Sequence, residues 1–282
     1  MKKNIKENKI LFCVLLAAIF IIIAKVTGLI FKGTTPSVFI DCLKEAIFAV
    51  GAYILLKWAG KNDILKKKTE GLGKGLLIGG FLTVITVLSI LGFFLNADNI
   101  ENITSIGNLI FFTLEAILIG VAEEFVFRGA IQTTLYDYFG KDTRKGVYKS
   151  ILCTGIIFGL VHIANIISGA SVGGSIVQAI NAIAVGSYFG AIFYRSDNIW
   201  SVVILHALLD FNGLKEAALL GKGSAIETIS AYGETGIAVI FSVILYLGLT
   251  AFILRKSKVK LPEKWEKIVQ WKAYWLFLIM DI

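Results

Sequence analysis

Long apolar runs separated by short polar connections occupy almost the whole chain. Crossing a hydrocarbon core of about 30 Å takes roughly 20 helical residues. On that measure the runs near residues 10–31, 38–58, 72–95, 107–130, 150–168, 172–194, 199–220 and 236–254 predict eight transmembrane helices. The expected fold class is all-α, a polytopic membrane helix bundle. The first run follows the basic stretch MKKNIKENK, but it is long and no small-residue cleavage site closes it, so a retained anchor is expected rather than a removed signal peptide. Among the connections, NADNIENITS is polar and acidic, SGASVGG is a short Gly/Ser link, and GKGSAIETISAYGET is the longest loop on its side. The tail opens with Pro262 and carries Trp265, Trp271 and Trp275 among lysines, which predicts a helix lying in the headgroup interface.

Composition agrees with the pattern. Hydrophobic residues make up 56% of the 282 residues, and there are only two prolines; the mean hydropathy is +0.78. Such a chain is too apolar for a soluble globule. The net charge of +8 would suggest nucleic acid in a soluble protein. Here Lys and Arg gather in connections on one side of the bundle: 22 of the 28 lie there, against Lys32, Lys215 and Lys222 on the other. By the positive-inside rule both termini are expected in the cytoplasm, and no nucleic-acid partner is expected. Cys13, Cys42 and Cys153 all fall in apolar segments without zinc-site spacing, so free buried thiols are expected. Lysine outnumbers arginine 24 to 4, a bias of AT-rich bacterial genomes that points to a bacterial cell membrane.

Against this background the ionisable residues inside the runs stand out, because placing them mid-membrane costs several kcal/mol. The chain has two histidines, His162 and His206, and both lie in apolar runs. A third run carries Glu123, Glu124 and Arg128 in GVAEEFVFRGA. At 3.6 residues per turn Glu124 and Arg128 share a face and can pair, while Glu123 points about 100° away and is free to face a reaction centre. In FGLVH, Phe158 sits one turn before His162, where its ring can stack on the imidazole, and Asn165 follows three residues later. In HALLD, Asp210 sits one turn after His206, where a carboxylate can hold an imidazole tautomer for base chemistry or for metal binding. Each feature taken alone is also compatible with helix-packing glue. Counting from Lys149 and Arg195, both histidines are expected in the cytoplasmic half of the membrane.

These residues resemble the motifs of the CAAX protease and bacteriocin-processing family, whose intramembrane endopeptidases include the type II CAAX prenyl endopeptidases. That family's EExxxR, FxxxH and HxxxN or HxxxD motifs are matched in order by Glu123–Arg128, Phe158–His162 and His206–Asp210. The likeness covers roughly residues 107–220. It implies a division into motif-free helices (1–100), catalytic core helices (101–220), and a last membrane helix with the interfacial tail (221–282). It further implies that Glu123 and His162 activate the attacking water, that His206 and Asp210 stabilise the oxyanion or orient the water, and that Glu124 and Arg128 support the site. Zn2+ is the cofactor such donors would take, with His162 and His206 as ligands; a metal-free Glu–His pair is the other route.

The expected activity is intramembrane endopeptidase cleavage of a peptide or lipid-anchored tail entering from the cytoplasmic leaflet, with membrane lipids as the other partner. A serine protease fits less well, since Ser168, Ser171 and Ser175 lack a Gly-x-Ser-x-Gly elbow. A non-proteolytic bacteriocin-immunity or regulatory protein is the main alternative, and a cation transporter is a weaker one.

Overall fold

A computed structural model describes residues 5–255. The expected interfacial helix around Trp265, Trp271 and Trp275 lies outside the described residues. Within them every regular element is helical. In chain order these are α1 (Lys9–Ile30), α2 (Val38–Trp58), α3 (Leu72–Ile78), α4 (Gly80–Leu95), the short α5 (Ala97–Glu101), α6 (Ile106–Glu124), α7 (Thr133–Phe139), α8 (Arg144–His162), α9 (Val172–Ser196), α10 (Ile199–Leu220), α11 (Ala225–Ala231) and α12 (Gly236–Ile253). A π-helix, Phe125–Gln132, joins α6 to α7, and α8 runs on as a 3₁₀ segment, Ile163–Ser168.

The helices begin where a short polar side chain can take an orphan backbone N–H, which matters most where no water can. Ser105 accepts from Asn108, Thr143 from Gly146, Ser171 from Gly174 and Asn198 from Ser201, all at 3.0–3.1 Å. Outside faces are apolar as well as inside ones. On α1, Leu11, Val14, Ile22 and Leu29 are exposed while Phe12, Leu16 and Phe20 are buried. A helix that is hydrophobic all round belongs to a lipid environment.

The expected segments all fall on helices, but the span count differs from expectation. Three helices are long and apolar enough to cross a bilayer: Lys9–Ile30, Arg144–Ser168 and Val172–Ser196. Two bent pairs raise the number to five. The expected straight helix at 72–95 is one of them, broken by 79° between Leu72–Ile78 and Gly80–Leu95. The remaining long helices carry charged residues within their apolar runs: Asp41, Lys44 and Glu45 in α2, Glu115, Glu123 and Glu124 in α6, and Asp210, Lys215 and Glu216 in α10. The segment expected as the longest loop also folds, as α11 and a 3₁₀ turn, Tyr232–Glu234.

One end of the bundle gathers the basic connections and ties them down. Lys61 pairs with Asp137 at 2.6 Å, Lys67 and Lys141 both reach Asp197, and Arg195 donates to the Ile253 carbonyl at 3.0 Å. Asp197 takes a left-handed conformation (φ 54°) that turns α9 into α10, and Asn198 donates to the carbonyls of Lys67 and Glu70 at 2.8 and 2.9 Å. Exposed pairs of this kind contribute about 0–1 kcal/mol each; their effect is to fix the loops at that end.

At the centre, α8 and α9 pack backbone to backbone. A Cβ added at Gly155 would lie 2.8 Å from the Ile183 carbonyl oxygen, and one at Gly159 would lie 2.5 Å from that of Ala179. Small residues that let helices approach this closely take the place of a hydrophobic driving force in lipid. The same contact seats Phe158 against Gly186, where an added Cβ would be 2.8 Å from the ring.

Candidate active site

Four elements bring the sequence motifs together, and the approach of α6 to α10 is the first requirement. Gly120, one turn before the two glutamates, faces α10 so closely that a Cβ there would lie 2.8 Å from the Val203 carbonyl oxygen and 3.5 Å from the His206 Cβ. That approach puts both glutamates beside His206. Beyond Glu124 the chain does not continue as the regular α-helix expected from the 3.6-residue spacing. It widens into the π-helix, all eight of whose residues are buried. Such turns recur at functional sites because they re-aim side chains within an otherwise regular helix.

Glu124 and Arg128 form the expected ion pair, with Oε1 2.8 Å from Nη1 and both side chains wholly buried. Arg128 also donates from Nη2 to the Gly186 carbonyl at 3.2 Å, and its guanidinium lies 4.7 Å from the Phe158 ring centroid and 5.5 Å from that of Phe189. The charge is thus held by a carboxylate, a carbonyl and two aromatic faces.

Glu124 has a second partner that spacing along one helix does not reveal: its Oε1 accepts from His206 Nδ1 at 2.7 Å. The other ring nitrogen, Nε2, lies 3.3 Å from Glu123 Oε2 and 3.4 Å from Asp210 Oδ2. Carboxylates on both sides of the ring suit an imidazolium, which donates from both nitrogens. Glu123 and Asp210 keep 17% and 22% of their side-chain surface exposed, whereas Glu124 keeps none. Only the first two carboxylates can meet a substrate.

His162 is the last residue of α8, and its Nδ1 lies 2.8 Å from the Phe158 carbonyl oxygen. A carbonyl can only accept, so Nδ1 carries a proton, and in the neutral ring Nε2 then holds the lone pair. Phe158 does not stack on this ring as expected. It meets it edge-on, with centroids 4.7 Å apart at 72°, and the same phenyl meets His206 at 6.0 Å.

Glu123, Phe158, His162, His206 and Asp210 line one cavity of about 1130 Å³. Its direction follows from its lining. The lining continues through Gly28, Leu29, Ser168, Leu214 and Thr228, and it includes no residue of the lysine-rich connections. From the buried site the cavity therefore runs toward the opposite end of the bundle, under α11. His162 lies about 27 Å along α8 from Arg144, at 1.5 Å per residue.

Among the described residues no three His, Cys, Asp or Glu side chains are grouped to hold a metal ion. His162 Nδ1 faces a carbonyl and His206 Nδ1 faces Glu124, which leaves the two Nε2 atoms as the positions that zinc would take.

Several contributors escaped the motif reading. Gln132 donates to the Gly190 carbonyl at 3.0 Å and to the Tyr136 hydroxyl at 2.6 Å, bracing the π-helix against α9. Asn165, noted only for its spacing, donates to Gln178 at 2.8 Å across the cavity wall. Lys25 of α1 lines the cavity as well. A buried amide or a lysine near a helix end carries no distinctive spacing, so these were not separable from ordinary bundle residues.

Fold and site together define a multi-pass helical membrane protein with a buried glutamate–histidine centre. Residues 105–212, which contain all three motifs, match the family model described as type II CAAX prenyl endopeptidase Rce1-like. Over that segment the chain is similar to the CAAX/CPBP family of intramembrane proteases. No curated protein matches the chain.

Proposed function

We propose that this protein is an intramembrane endopeptidase in which Glu123 and His162 activate a water molecule and His206 receives the developing oxyanion. The observation that carries the reading is the meeting of Glu123, His162, His206 and Asp210, from three separate helices, on the wall of a single cavity.

The chemistry follows from the partners of each group. Water attacks the scissile carbonyl carbon and gives up a proton to Glu123 or to the lone pair of His162 Nε2, the general-base step. The carbonyl oxygen becomes an oxyanion that accepts from the His206 imidazolium, a donor already oriented by Glu124 before reaction begins. The base returns its proton to the leaving nitrogen, the C–N bond breaks, and an acid and an amine leave. Asp210, beside His206 Nε2, keeps that ring charged and in place. Glu124 and Arg128 are positioning residues: neither meets the cavity, and both act through His206 and the π-helix.

The family match supports a prenylated or otherwise lipid-anchored protein as substrate, and the mostly apolar walls suit such a chain or an extended peptide. With the lysine-rich end in the cytoplasm, as the positive-inside rule places it, the bundle sits in the cell membrane with its cavity facing the extracytoplasmic side. The test is cleavage by the purified protein in liposomes of a panel of leader-type and C-terminally lipidated peptides, with products identified by mass spectrometry. Defined fragments from one or more members are expected, and the absence of any would refute proteolysis.

Gly120 offers an independent test of the site geometry. Gly120→Ala inserts a methyl where the backbone of α10 already stands, so α6 must move away and the Glu124–His206 bond must lengthen. Misplacing catalytic groups by about 1 Å costs on the order of 100-fold in rate, whereas overpacking of this size costs about 1–3 kcal/mol of stability. Turnover of a processed peptide should therefore fall far more than the unfolding temperature in detergent. Unchanged turnover would show that the approach of α6 to α10 does not set the site.

A further inference from the structure

Lys25 is a cation inside a membrane-spanning helix whose contacts explain its position but not its charge. It does not extend along α1 toward the headgroups, as lysines near a helix end commonly do. It reaches sideways across the cavity wall, donating to the Ala164 carbonyl at 3.1 Å and to the Ser168 hydroxyl at 2.5 Å. Both acceptors are neutral. Among the described residues no carboxylate lies within ion-pair distance of it. Among the described residues it is also the one Lys or Arg lining the cavity, where the acidic residues, Glu123 and Asp210, sit with the imidazoles.

We infer that the Lys25 ammonium is a specificity-determining group that binds a carboxylate of the substrate on the C-terminal or N-terminal side of the scissile bond, a deepening that rests on the endopeptidase reading. Its position is suited to this. The two acceptors bracket the 3₁₀ segment that follows His162, and at about 2 Å rise per residue Ser168 stands about 12 Å beyond that histidine. An extended peptide covers that distance in roughly three to four residues, at 3.3–3.6 Å each. A substrate threaded from the imidazoles along the cavity would thus bring a carboxylate a few residues from the cut to the ammonium. The carboxylate can be the chain terminus or an Asp or Glu side chain; either is recognised by the same charge-assisted hydrogen bond.

The test is a binding competition that does not depend on turnover. Wild-type protein and a cleavage-dead Glu123→Gln protein, immobilised in detergent, are offered an equimolar pool of randomised nonapeptides in two isotope-coded forms, with free C-terminal acid and with C-terminal amide. A second pool is amidated throughout and differs in carrying or lacking one Asp or Glu. Retained peptides are read by mass spectrometry. The expected result is enrichment of carboxylate-bearing peptides by on the order of ten- to a hundred-fold, the size of one hydrogen bond to a charged group. Enrichment in the first pool identifies a terminal carboxylate, and enrichment in the second identifies a side chain. The preference should vanish in Lys25→Gln and survive in Lys25→Arg. If Lys25 merely caps the end of α8, glutamine, which can still donate to Ala164 and Ser168, would behave like the wild type, and that result overturns the inference. So does equal retention of both forms by the unsubstituted protein, a measurement that needs no variant to fold. A Lys25-dependent preference without any peptide cleavage would instead remove the proteolytic reading and leave the carboxylate site standing.

Discussion

Glu123→Gln is expected to reduce peptide cleavage by about 100- to 10,000-fold, the usual contribution of a general base, while leaving the protein folded. The two halves of this expectation have separate causes. Activity falls because the amide has no lone pair basic enough to take a proton from water. The fold survives because Glu123 reaches the cavity, keeps 17% of its side-chain surface exposed, and has His206 Nε2 at 3.3 Å as its ionic neighbour, whereas the wholly buried bond to His206 belongs to Glu124. His162→Ala should give a similar loss, since its Nε2 is the second basic atom on the same wall. Because the two act on one water, the double variant should be little worse than either single one; groups that work as a unit are strongly non-additive. Turnover of a processed peptide, with unfolding temperature and detergent elution profile as controls, checks all three. Retained turnover in both single variants would refute the assignments, and multiplied losses in the double variant would show that the residues serve different steps.

The helical class and the gathering of the intramembrane polar residues were legible because both follow from the cost of polar groups in an apolar solvent. A histidine or a Glu–Glu–Arg cluster inside a hydrophobic run needs a partner, and His162, His206, Glu123, Asp210 and the Glu124–Arg128 pair all have theirs in the structure. What remained hidden depended on atoms brought together from different helices. That Glu124 bonds to His206 as well as to Arg128 follows from the Gly120 contact, and one glycine in an apolar helix announces nothing. The π-helix was hidden because its sequence has ordinary helical spacing; its stability comes from burial and from Gln132 reaching α9. The direction of the cavity was not legible, because loop charge reports the ends of helices and says nothing of how far along each a side chain sits. The same carboxylates that build the site lower the apparent hydropathy of α6 and α10.

Arg128→Met is expected to destabilise the protein by about 3–5 kcal/mol, with a correspondingly lower unfolding temperature and yield of folded protein in detergent. Methionine fills much of the volume, so the effect is not mainly one of packing. Its source is Glu124, which keeps its bond to His206 but loses the cation 2.8 Å away while remaining fully buried. The Gly186 carbonyl loses its donor at the same time. Arg128→Lys should recover only part of the loss, because a single ammonium cannot reproduce the guanidinium's simultaneous reach to Glu124 and Gly186 or its flat contact with the Phe158 and Phe189 rings. The informative comparison is Glu124→Gln combined with Arg128→Met. Removing both charges removes the unpaired buried carboxylate, so stability should return most of the way toward the wild type, as replacement of buried ion pairs by neutral groups often does. Activity should not return with it. Glutamine can still accept from His206 Nδ1, but it removes the charge that Glu124 adds to that of Asp210 in holding the ring as a doubly donating imidazolium. Stable but inactive protein is thus the expected outcome for the double variant, and it would separate the two roles of Glu124, as counter-ion to Arg128 and as the group that readies His206. An Arg128→Met protein as stable as the wild type would mean that the buried pair does not hold the core as its geometry implies.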